Sequence, residues 1–100
     1  MTESQIEAWL GKRLRELKCL YYKFVSPGND GVPDRIIVLP LGRIIFLELK
    51  AEDGELTAMQ EYSIGKLQRQ GCIVRVSYGL DDARQLVDDI KVMMEARNAI

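Results

Sequence analysis

Two apolar runs rich in β-branched residues, Asp34 to Leu39 and Arg43 to Leu49, lie on either side of Pro40-Leu41-Gly42. A Pro-x-Gly break between two such runs predicts a β-hairpin. Neither run alternates cleanly between apolar and polar residues, so both strands are expected to be covered on both faces. Everything else in the chain has to supply those covers.

The segments around the hairpin read as helices and strands in a fixed order. Ser4 to Leu20 predicts a helix, with an apolar stripe of Ile6, Trp9, Leu10, Leu14 and Leu17. Ser4 with Glu7 has capping-box spacing, and Thr2 with Gln5 offers an alternative start. Tyr21 to Val25 reads as a short strand, followed by the turn-rich loop Ser26-Pro27-Gly28-Asn29-Asp30-Gly31. Beyond the hairpin, Thr57 to Gln70 predicts a second helix, with Thr57 and Gln60 spaced as a capping box and Gly71 as its stop. Cys72 to Ser77 reads as a fourth strand, and Asp81 to Arg97 as a last helix. The fold class is therefore α/β, in the order αβββαβα. Three consecutive strands form an antiparallel meander, and the helical crossover sets the fourth strand parallel to the third. The expected architecture is a mixed sheet of about four strands flanked by helices.

The 100 residues suit a single domain, residues 1–100, with one core. No apolar run reaches the length of a membrane-spanning helix, and Met1-Thr2-Glu3-Ser4 is unlike a signal peptide. Cys19 and Cys72 are far apart without a CxxC pattern. They read as free thiols of a reducing, cytoplasmic compartment. The chain has no histidine, which excludes histidine-based catalysis and ordinary zinc sites. A net charge of −1 gives no overall pull toward a polyanion. Even so, Lys12, Arg13, Arg15, Lys18 and Lys23 cluster against Glu16 alone. That stripe fits nucleic acid or, more blandly, a solvated helix face.

One group of residues resists explanation as packing. Asp34 directly follows Pro33, which cannot continue a central ladder, so its carboxylate belongs at the opening of a strand. Glu48 and Lys50 close the other strand of the hairpin and share one face. With the turn at Pro40 to Gly42, Asp34 and Glu48 fall nearly opposite each other, where cross-strand Cβ atoms are ~4.5–5.5 Å apart. Two carboxylates so close repel unless a cation neutralises them, and hard oxygen ligands suit Mg²⁺, with Mn²⁺ able to substitute. Lys50 can then polarise a water or stabilise charge developing on a phosphate. A charge cluster that blunts a sheet edge is the plainer alternative.

Gly31-Val32-Pro33-Asp34 followed by Glu48-Leu49-Lys50 resembles the PD-(D/E)xK nuclease superfamily. Glu7, Gln60, Leu67 and the Gly71-x-x-Val74-x-Val76 strand narrow the resemblance to the VRR-NUC family, virus-type replication-repair nucleases of the stand-alone phage and bacterial type. That resemblance implies a restriction-endonuclease-like fold and a Mg²⁺-dependent endonuclease in a bacterial or phage-infected cell. Its implied substrate is branched duplex DNA, such as a four-way junction. It also implies metal ligation by Asp34, Glu48 and the Leu49 carbonyl, with Glu7 assisting. Gln60 would contact Lys50 or the substrate region. Lys12, Arg13, Lys23 and Arg35 are the candidate DNA contacts. Symmetric cutting of two strands calls for a homodimer, for which Met93 and Met94 are candidate interface residues, although core is their default reading. A nicking nuclease, a nuclease subunit beside a helicase or another replication-repair partner, and a non-catalytic DNA-binding module are the alternatives.

Overall fold

The computed structural model describes residues 1–98, and their order is the expected one: α1 (Glu3–Glu16), β1 (Leu20–Lys23), β2 (Arg35–Val38), β3 (Ile44–Lys50), α2 (Ala58–Arg69), β4 (Ile73–Tyr78) and α3 (Gly79–Asn98). The four strands form one sheet in the order β1-β2-β3-β4. β1, β2 and β3 pair antiparallel, and β4 joins β3 in parallel after the α2 crossover. A short 3₁₀ turn, Pro40–Gly42, closes the hairpin.

α1 takes the second of its two possible starts. The Thr2 hydroxyl accepts from the Gln5 amide and the Gln5 side chain accepts from the Thr2 amide, so Glu7 has no part in the cap. The helix also stops about a turn before Leu20. Leu17 is its C-cap, and Lys18 adopts a left-handed φ of 66°, a turn that no glycine announces.

The hairpin strands are not covered equally. Ile37, Ile45 and Leu47 are sealed against Leu10, Leu14, Leu86 and Ile90, so α1 and α3 close one face completely. On the other face α2 lies against β4, leaving Ile36, Val38 and Phe46 half-buried and Leu20, Tyr22 and Ile44 about half exposed. The missing alternation in β2 and β3 therefore reflects one sealed face and one partly covered face. Met93 and Met94 are half-buried and pack against the α1–α3 core, which was their default reading. Cys19 is buried and Cys72 half-buried, and both are free. Among the described residues, no helix is long and apolar enough to cross a membrane.

Candidate active site

Register delivers the central residues. β2 and β3 pair through Arg35↔Leu47 and Ile36↔Phe46, so one further step sets Asp34 against Glu48. The even-numbered residues of β3 point to the α2 face, which places Glu48 and Lys50 there together. Asp34 sits just before β2, its carbonyl accepting from the Phe24 amide at 2.9 Å. Phe24, whose amide reaches Asp34, also packs against Phe46 in a tilted arrangement with ring centroids 5.6 Å apart.

The loop that carries Asp34 is held by α2. Gly31 has a φ of +82°, and its α-carbon lies so close to the helix that an added Cβ would come 2.5 Å from the Met59 carbonyl. The Ser63 hydroxyl donates to the Asp30 carbonyl at 2.8 Å, a second tie between loop and helix. This close approach brings Gln60 to the site. Its Oε1 accepts from the Thr57 amide as the capping-box partner, while its Nε2 donates toward Glu48 Oε2 at 3.4 Å. Cap and site contact are thus made by opposite ends of one amide. The same Glu48 oxygen lies 3.9 Å from Lys50 Nζ.

Electrostatics show how crowded the carboxylates are. Glu48 is only 5% exposed, and burial pushes its carboxyl up to about 7. The Asp34 charge adds to that rise, Lys50 and the Asp34 amide oppose it, and Glu3 in the first turn of α1 contributes a smaller push. Asp34 Oδ1 is buried with no hydrogen-bond partner. A buried carboxylate oxygen without a donor is costly, and a divalent cation would supply its missing partner. Two carboxylates and a main-chain oxygen suit Mg²⁺, which usually takes one or two protein carboxylates and leaves other positions to water and phosphate. The donor set therefore fits Mg²⁺ or Mn²⁺, with the Leu49 carbonyl in the same stretch of β3.

Glu7 stands apart from this cluster. Among the described residues, no group of three or more carboxylate, cysteine or histidine side chains is placed to hold a metal ion. The Glu7 carboxylate is bonded instead to the Arg35 guanidinium, against the α1 face of the sheet. Arg35 is 8% exposed, and its position opposite Leu47 turns it inward, so it is not the DNA contact the sequence suggested. Burial alone would lower its pKa, but the Glu7 bond and charge outweigh that and raise it. Strand periodicity held the missed signal: with Asp34 facing one side of the sheet, its neighbour must face the other.

The remaining basic candidates are scattered. Arg13 folds over the Trp9 ring and pairs with Glu16 at 3.0 Å. Lys23 is exposed but lies beside Arg35 on the α1 side of the edge strand, away from Glu48. Lys12 is exposed on α1.

No sequence-family model matches the chain. A phage protein named "Putative nuclease p44", from Acyrthosiphon pisum secondary endosymbiont phage 1, is 48% identical over 58 residues. That match takes in 58% of this chain and 62% of the relative, so the chain spans about three-fifths of the relative's length. A solved structure titled "VRR_NUC domain" superposes with a TM-score of 0.80 at 25% identity, covering 86% of this chain and 94% of the other. A second, "VRR_NUC domain protein", superposes with a TM-score of 0.66 at 17% identity over 88% of this chain and 86% of its own, a likeness of fold. In its mixed four-stranded sheet and element order the chain is similar to the VRR_NUC domains, and part of its sequence is similar to the phage relative.

Proposed function

We propose that this chain is a metal-dependent endonuclease that hydrolyses phosphodiesters in DNA. The observation that carries the reading is the pairing of Asp34, with an orphaned buried oxygen, and Glu48, with a strongly raised pKa, beside the Lys50 ammonium. The printed name of the phage relative and the VRR_NUC fold support it from outside the site.

Asp34, Glu48 and the Leu49 carbonyl would hold Mg²⁺ or Mn²⁺. A bound ion of this kind lowers the pKa of its water and neutralises charge on phosphate oxygens. Lys50, two residues along the same face, orients the attacking water and offsets charge on the phosphate as the P–O bond breaks. Gln60 keeps the Glu48 carboxylate aimed into the site while its other end caps α2.

The substrate we favour is branched duplex DNA, four-way junctions first, on the strength of the resemblance to the VRR-NUC family. Each copy of the chain carries one such cluster, so paired cuts on opposing strands would need two copies. The deciding assay is Mg²⁺-dependent cleavage of plain duplex, flap and junction substrates at several salt concentrations. Asp34→Asn, Glu48→Gln and Lys50→Met should each lower cleavage by more than about a hundredfold with the fold intact by circular dichroism. Full activity in any one folded variant would overturn the assignment.

A further inference from the structure

The wild-type pair Glu7–Arg35 lies directly behind the carboxylates, and its geometry separates two roles that α1 could have. Arg35 uses two different nitrogens on two different elements. Nη1 donates to the Asp34 carbonyl at 3.0 Å, and Nη2 is bonded to the Glu7 carboxylate on α1. Nη1 also lies 4.0 Å from Asp34 Oδ2, while the guanidinium sits over the Tyr21 ring at 5.9 Å. A planar guanidinium clamped at both ends and stacked on a ring has little freedom left. The Asp34 carbonyl therefore accepts from both Phe24 and Arg35, which fixes the peptide that precedes β2. The side chain that stems from this point carries the orphaned oxygen Oδ1.

Glu7, by contrast, faces elsewhere. Beyond Arg35 it borders a groove of about 360 Å³ with Ser4, Ala8, Gly11, Arg15 and Tyr21, which neither Asp34 nor Glu48 lines. Glu48 meets Gln60 of α2, which does not line that groove.

We infer that Arg35 is a positioning residue that orients Asp34 for the metal, that Glu7 anchors Arg35 from α1, and that Glu7 is not itself a metal ligand. This rests on the metal-dependent reading above, and it reassigns the role that the resemblance gave to Glu7. Partners that orient a ligand from behind are often worth about 10–100-fold in metal affinity.

The test is Mn²⁺ binding to the DNA-free protein, followed by the electron paramagnetic resonance signal of the free ion. Arg35→Lys keeps the charge but offers one ammonium where two guanidinium nitrogens reach two partners. It should fold and bind Mn²⁺ about tenfold more weakly. Glu7→Gln should weaken binding to a similar degree, and the double variant should be no worse than the poorer single one. If Glu7 were a ligand, Glu7→Gln would lose affinity while Arg35→Lys kept it, and that result overturns the inference. Unchanged affinity in Arg35→Lys would reduce Arg35 to a bulk charge and overturn it equally. Wild-type protein that binds no Mn²⁺ would overturn the metal reading and take this inference with it. Wild-type binding with indifferent variants would overturn the inference alone.

Discussion

Replacing Gly31 by alanine should damage stability and the site together, and a second glycine provides the control. Gly28 and Gly31 share a φ of +82°, but a Cβ on Gly28 meets nothing within 4 Å. On Gly31 it would come 2.5 Å from the Met59 carbonyl oxygen, 2.6 Å from the Met59 carbonyl carbon and 2.9 Å from the Gln60 nitrogen. Left-handed backbone costs an L-residue about 1–2 kcal/mol, and both variants carry that cost. Gly31→Ala adds a clash with helix backbone that cannot rotate away, an overpacking term of about 1–3 kcal/mol. For a domain of this size each kcal/mol lowers Tm by about 4–8 °C, so Gly31→Ala should melt at least about 4 °C below Gly28→Ala. Relief requires the start of α2 to retreat, which carries Gln60 off Glu48, or the loop to shift, which moves Asp34. Cleavage measured well below both melting temperatures should therefore fall in Gly31→Ala and hold in Gly28→Ala. Equal melting temperatures for the two variants would refute the close-approach argument. Equal activity would refute the claim that this contact sets the site.

Glu48 should leave a pH signature in metal-free protein. Its folded pKa is raised to about 7, so its contribution to stability is fully present below its unfolded value and is lost as pH rises through about 7. Wild type minus Glu48→Gln, compared by urea unfolding in EDTA between pH 5 and 8, should show wild type losing about 1–3 kcal/mol relative to the variant. A flat difference would remove the buried-carboxylate argument. Gln60 can be dissected by charge. Gln60→Ala should cost about 1 kcal/mol through the lost cap, whereas Gln60→Glu keeps a capping-box partner and sets a carboxylate against Glu48. Gln60→Glu should hold its melting temperature near wild type in metal-free protein at pH 5 and still cleave poorly. Cleavage at the wild-type rate would show that the Glu48 contact is idle.

The strand order and the Asp34–Glu48 pairing were legible because hairpin register follows from where the turn falls. Pro40–Gly42 placed the turn, and period-two geometry did the rest. Gln60 looked like a choice between cap and site because a sequence names residues and not atoms. The amide makes both contacts, one with its oxygen and one with its nitrogen. The Glu7–Arg35 bond was hidden for a related reason. Helical spacing showed that Glu7 flanks the buried stripe, yet which face of the sheet it would meet depends on how α1 lies across the strands. Arg35 was counted among exposed cations because charge suggests solvent, although its neighbour Asp34 already committed it to the opposite face. The early end of α1 at Leu17 had no glycine to mark it, since Lys18 takes the left-handed turn itself.

The concentration of costly groups at one end of the sheet is itself an argument for a site. Odd-numbered β3 residues Ile45, Leu47 and Leu49 are sealed in the core, and Glu48 between them is nearly as buried. A valine at 48 would satisfy a central strand without any charge to desolvate. Instead the chain keeps a carboxylate whose pKa burial has raised, opposite a second with an unpartnered oxygen, sets Lys50 and Gln60 beside the first, and ties the second through Arg35 to Glu7. A fold that needed only stability would have relaxed these features, because each local rule they break has an inexpensive repair. Their persistence at one point, fed by a strand opening, a strand end and a helix start, is what a preorganised cation site requires. On that reasoning Glu48→Val should raise the stability of the metal-free protein above pH 7 while leaving no cleavage.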